Sequence, residues 1–263
     1  MRGLAVRRGR CNGLEPRAAG PRANRPAVSV LFGPSTSAIR TARSASFAPA
    51  WQHARMSMPV LSSAVVVALR DSSDISQWIS TNHPDSITQT PTGMLAGPSY
   101  GICLEHREAV LLLVEHDCRT SAYALLRSVY EAYMRGLWAE ECADENALAR
   151  IVQTKELPTM DTVTRQLDKV GGDATFAQSK AKVWKAMSHY AHGGLRQLER
   201  WAGADGIGPR HPDGETVEVL HHVNVYGLLA LLGIARLANE PTEQLQALQE
   251  EVLTFIAKLD DPT

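Results

Sequence analysis

The stretch from Ser121 to Trp138, SAYALLRSVYEAYMRGLW, leaves a helix almost no side for water. At about 100° per residue, Ala122, Leu125, Val129, Ala132, Tyr133 and Gly136 share one side. Tyr123, Arg127, Tyr130, Glu131, Met134 and Trp138 share the other. A helix that is apolar or aromatic nearly all round must be packed from several directions, so the chain has to supply other helices around it. Arg127 and Glu131 stand one turn apart among aromatic residues, where a charge is tolerated only if paired and hydrogen-bonded. On a surface such a pair contributes about 0.3–0.5 kcal/mol. When it is buried, loss of one partner strands the other charge.

The rest of the chain reads as helices joined by breakers. Pro59 to about Ile79 has helical character, and residues 82–99, with three Pro and two Gly, read as a loop. Helical period returns near Tyr100 and runs to His116, with Ile102, His106, Ala109, Val110 and Leu113 on one side. A short turn over Asp117–Thr120 makes that helix an antiparallel neighbour of the central one. Thr159 to Val170 forms a short helix stopped at Gly171-Gly172. Asp173 is the N-cap of a helix from Ala174 through SHYAHGG towards Trp201. A loop over Gly203–Gly214, a buried helix over Glu215–Ala238 and a last helix over Pro241–Leu259 complete an all-α domain of six to eight helices.

Residues 1–57 stand apart from that domain, which is expected over 58–263. The first 55 residues hold ten Arg, no Lys and one acid, Glu15, in a Ser/Ala/Gly/Pro-rich setting with no apolar period, a disordered composition. An organellar targeting segment has this character, as does a translated upstream region with the native start at Met56 or Met58. The second reading is preferred. The remainder carries 17 basic and 27 acidic residues, which argues against broad non-specific binding to nucleic acid. Cys11, Cys103, Cys118 and Cys142 lack C-x-x-C spacing and are expected as reduced thiols packing as small hydrophobes. The longest apolar run, Tyr226–Ala235, is half of what a bilayer span needs, so no membrane span and a cytoplasmic location are expected.

The chemistry-bearing stretch is Ser188–Gly194. If its helix continues through Gly193-Gly194, then Lys185, His189, His192 and Arg196 share one face, opposite a core stripe of Trp184, Met187, Ala191, Leu195 and Leu198. Such a cationic row could grip a phosphate or carboxylate, and an imidazole could act as general acid or base. The competing reading is a solvated face. Two adjacent glycines mark either a helix break or a close approach by backbone or ligand. His106 and His116-Asp117 suggest an HD-type metal site, but no distal Asp completes it, so neither metal nor cofactor is expected. His221 and His222 point about 100° apart and cannot serve one site, and one of them is expected as a core histidine. Phosphate-loop, dinucleotide, nucleophile-elbow and zinc-protease motifs are absent.

Three segments in order, Arg107–Leu112, Ser121–Trp138 and Trp184–Gln197, resemble a family of all-helical bacterial proteins carrying a domain of unknown function. The resemblance spans about residues 101–238. Related helical families resemble HEPN domains, which include RNA-cleaving toxins and defence factors. Their Arg with a His four to six residues on is not found in the body of this chain, so Arg127 and His192 would have to meet across helices. The resemblance implies a HEPN-like bundle; the residues themselves lead to the expectation of a module in defence or stress that binds an anionic ligand, RNA or a protein partner and pairs as a homodimer, with a site built from Arg127, Tyr130, Glu131, Lys185, His189, His192, Gly193, Gly194 and Arg196. RNA or nucleotide hydrolysis by His192 and Arg127, or a purely structural role, are the alternatives.

Overall fold

Small polar side chains that accept a backbone N–H three residues on start three of the helices. Ser62 accepts from Val65, Asp144 from Ala147 and Thr159 from Thr162. A computed structural model describes residues 61–203 and 206–260, and the extension expected over 1–57 lies outside them. The described helices belong to one compact unit, Pro49–Thr263. They are α1 (Ser63–Asn82), α2 (Gly93–Glu115), α3 (Arg119–Glu141), α4 (Glu145–Thr154), α5 (Met160–Gly171), α6 (Thr175–Ala191), α7 (Leu195–Glu199), α8 (Asp213–Leu237) and α9 (Thr242–Asp260). Between α7 and α8 a two-residue antiparallel ladder, β1 (Ala202–Gly203) with β2 (Gly206–Ile207), is the sole β structure among the described residues.

The central stretch is α3, and it packs against α2, α5, α6 and α8. Residues from both sides of its wheel are buried, including Ala122, Val129 and Ala132 on one and Tyr123, Tyr130, Met134 and Trp138 on the other. By length and apolar composition α8 is the one helix among the described residues able to cross a membrane. However, 61% of its apolar window is buried, packed on α1, α2, α3 and α9.

Two expectations about α2 fail. It begins at Gly93, well inside the supposed loop, and carries Pro98 within it. The start is fixed from outside: Thr90 Oγ1 accepts from Gly93 N–H at 2.9 Å, and Thr88 N–H donates to Leu237 O at 3.1 Å. Pro98 lies early in the helix, where it removes one backbone bond near the end. The buried face is also rotated. Tyr100, Cys103, Arg107, Val110 and Val114 face the core, while Ile102 is exposed.

Arg107 has no exposed surface. Its Nη1 donates to Ser76 Oγ at 2.7 Å and to the Glu108 carboxylate. Its Nη2 donates to Ser72 O at 2.8 Å and Asn224 Oδ1 at 2.7 Å. Asn224 Nδ2 donates back to Ser72 Oγ at 2.9 Å. Burial lowers the guanidinium pKa, and the Glu108 charge opposes that shift. α1, α2 and α8 thus meet on one cation, and Gly227 leaves room for its stem: a Cβ there would lie 2.4 Å from Arg107 Cδ.

Tyr100 is the second junction. Its hydroxyl donates to Glu140 Oε2 at 2.6 Å, and Arg236 pairs with the same carboxylate. The ring lies against Gly136 of α3 and Gly233 of α8, where an added Cβ would approach its carbons to 2.6 and 2.4 Å. Gly233→Ala is therefore expected to destabilise by about 1–3 kcal/mol through overpacking. Gly101→Ala, with nothing within 4 Å of its Cβ, should stabilise by up to about 1 kcal/mol through helix propensity. Urea melts of the two variants check the contrast, and equal shifts would contradict the packing.

Candidate functional site

α6 starts one residue later than its sequence indicates, with Ala174 and not Asp173 as N-cap, and two carboxylates share its first turn. Asp173 Oδ1 accepts from Thr175 N–H at 3.0 Å, while Asp168 of α5 accepts from Phe176 and Ala177 N–H at 2.8 and 3.1 Å. The helix does not run through the glycines. It ends at Ala191, with His192 as C-cap, Gly193 at φ 63° and Gly194 N–H bonded to His189 O at 2.7 Å. This is a left-handed termination that glycine adopts at least cost. The glycines mark a break. A Cβ on Gly194 would lie 2.6 Å from His189 Nδ1, so the imidazole fills that space.

The single face expected for Lys185, His189, His192 and Arg196 is therefore not formed as drawn. Lys185 is exposed on α6, and His189 is half-buried against Gly194. Arg196 belongs to the separate helix α7, and its side chain lies outside the described residues. Leu195 and Leu198, expected in the core, are exposed.

Arg127 and His192 do meet. Arg127 Nη1 lies 2.6 Å from His192 Nε2 and 3.3 Å from Ser188 Oγ, while its Nε donates to Glu131 Oε1 at 2.7 Å. A guanidinium only donates, so Nε2 accepts and Nδ1 carries the ring hydrogen. Glu131 Oε2 also holds Arg135 at 3.0 Å. Two arginines on one carboxylate leave this face with a net positive charge. The Arg127 guanidinium carbon sits 4.3 Å from the Trp184 ring centre, and Lys180, paired with Asp161, sits 4.9 Å from it. Tyr130 packs edge-on against Trp184 and Tyr226, and burial raises its hydroxyl pKa to about 12.

A second polar cluster gave no sequence signal, because its members are scattered along the chain. Arg119, at the start of α3, donates to Asp117 at 2.8 Å, Asp213 at 2.6 Å and His211 O at 3.0 Å. His211 Nε2 lies 2.9 Å from Thr120 Oγ1, which accepts from Trp201 Nε1 at 3.0 Å. The imidazole is 8% exposed and packs on Tyr123. This cluster clamps the segment between α7 and α8 to the start of α3. His116 Nδ1 bonds Leu112 O and Asp117 pairs with Arg119, so each has a structural partner. Neither His221 nor His222 is a core residue; the first is half-buried and the second exposed. Among the described residues no group of three His, Cys, Asp or Glu converges for a metal.

Burial, then the charges of Arg200 and Arg119, depress the His211 pKa to about 4. The unfolded chain takes up this proton near pH 6.5 and the folded chain only near 4. The stability gained from a neutral His211 is thus complete above pH 6.5 and is lost as pH falls towards 4. His211→Gln should flatten the fall in melting temperature across that window, and an unchanged slope would contradict it. Glu131→Ala strands two half-buried arginines and should cost about 1–3 kcal/mol, more than a surface pair. A melting temperature equal to that of wild type would contradict the burial argument.

No curated protein and no solved structure matches this chain. A sequence-family model nonetheless matches residues 100–255. That stretch takes in α3, α6, α8 and both polar clusters. The chain belongs to the family of unknown function DUF6988.

Proposed function

We propose that this protein is a binding module for an anionic partner, contacted along α6 and its junction with α3. One observation carries the reading: residues 175–200 hold five Lys and Arg against a single acid, Glu199, in a chain whose remainder past residue 55 is acidic. Lys182 and Lys185 are exposed on α6, and the array of Arg127, Glu131 and Arg135 beside Trp184 adds a net positive charge at its flank. Against an acidic background such a stretch attracts anions locally while the rest of the surface repels them, which favours one orientation of approach.

A hydrolytic reading, HEPN-like in character, is favoured by the 2.6 Å contact between Arg127 and His192. Arg127 would steady a phosphate and His192 would move a proton. In that geometry the guanidinium engages Nε2, so proton transfer falls to Nδ1.

Fluorescence anisotropy with a labelled polyanion at two salt concentrations tests the main reading. Binding should weaken as salt rises and drop about tenfold or more in Lys182→Glu/Lys185→Glu, with the melting temperature preserved. Equal binding by variant and wild type, or no binding at low salt, would overturn it. Incubation of wild type and His192→Ala with RNA separates the hydrolytic reading, which requires cleavage that the substitution abolishes.

A further inference from the structure

A pair of glycines stands at each end of α6, Gly171-Gly172 before it and Gly193-Gly194 after it. Gly172 and Gly193 take positive φ, 80° and 63°, a backbone that other residues adopt only with strain. Between these breaks α6 is lightly packed. Only Met187 and Tyr190 of its 17 residues are buried, against nine of 23 in α3 and twelve of 25 in α8. It packs on α3, α5 and α7, whereas α1, α2 and α3 pack on the buried helix α8.

Polar ties fasten both ends of this helix. Asp168 and Asp173 hold its first turn. Towards the other end Arg127 contacts His192 and Ser188 and lies over the Trp184 ring. On the apolar side Tyr190 meets Tyr123 edge-on at 5.1 Å, and Trp184 meets Tyr130 at 6.2 Å. A segment with few buried apolar groups opens locally before the core does. Lifting α6 uncovers Arg127, Glu131 and Tyr130. It leaves the Arg107 and Tyr100 junctions intact, because neither contains a residue of α6.

We infer that α6 is a strap: it opens from α3 as one unit while α1, α2, α3 and α8 stay folded, and Arg127 is the catch that holds it shut. A site divided between a fixed helix and a strap is complete only when the strap is closed. An anion lying across α6 and Arg127 binds that closed form alone, so its binding shifts the strap towards closure. The closing step rests on the anion-binding reading above, and the opening does not.

Native-state hydrogen exchange on the full chain, read by mass spectrometry of peptic fragments, tests this. Amides of α6 should exchange at least about tenfold faster than those of α2 and α8, and with a weaker dependence on urea, the mark of opening below the global transition. Gly233→Ala, which disturbs the Tyr100 junction, should speed exchange in α8 and leave α6 as in wild type. Arg127→Gln should speed exchange in α6 about tenfold, through loss of charge-assisted bonds. Equal rates and urea slopes in α6, α2 and α8, or equal acceleration of α6 and α8 by Gly233→Ala, would overturn the opening. The wild-type urea slopes decide it alone should that variant fail to fold. Unchanged α6 exchange in Arg127→Gln would overturn the catch. The labelled polyanion, at about ten times its Kd, should slow exchange in α6 about tenfold. Binding without that slowing would overturn the closing step. Absence of binding at low salt would overturn the anion-binding reading and the closing step together, while the exchange pattern without polyanion still decides the opening.

Discussion

The buried guanidinium of Arg107 is the interaction on which the bundle's arrangement depends. An unpaired cation in an apolar interior is prohibitively costly, so Arg107 can be buried only where Ser72, Ser76, Glu108 and Asn224 converge. Those groups come from three helices. A rotation of α1 or α8 by one residue would carry an acceptor away and leave the charge stranded. Hydrophobic contacts alone tolerate such shifts, because they are not directional. The network therefore selects one packing among several of similar apolar burial. Tyr100 does the same further along the same face of α2, where two glycines admit its ring and Glu140 fixes its hydroxyl.

The two polar clusters on α3 divide the work between them. The first, around Arg119 and His211, joins the start of α3 to the segment before α8. The second, around Arg127 and Glu131, joins the middle of α3 to the end of α6. One helix thus sets the position of both ends of the chain between Ala191 and Asp213, which includes the exposed leucines.

Periodicity made the architecture legible, and the reasons for the exceptions are physical. A wheel tells which residues share a side, but not which side a neighbour will cover. On α2 it grouped Ile102 with Val110, whereas the core took Arg107 and Tyr100 because partners for a guanidinium and a hydroxyl were waiting there. On α6 the wheel assumed continuous helical backbone, which Gly193 at positive φ interrupts, so Arg196, Leu195 and Leu198 left the register. The pairing of Arg127 with Glu131 was readable because it is local. The approach of His192 was not, since 65 residues separate it from Arg127. His211 was invisible for the same reason: its partners Thr120 and Tyr123 lie on α3, the first of them 91 residues away.

The way α6 begins has a consequence for how its surface can vary. An acidic residue in a helix's own first turn meets the positive end of the helix dipole. Here Asp168 and Asp173, both upstream, supply those carboxylates, and α6 itself contains no acid. Its start and its outward charge are written in different residues. Lysines on α6 can be gained, lost or exchanged without weakening the cap. Sequence drift can thus retune which ligand this surface suits while the scaffold beneath it stays the same.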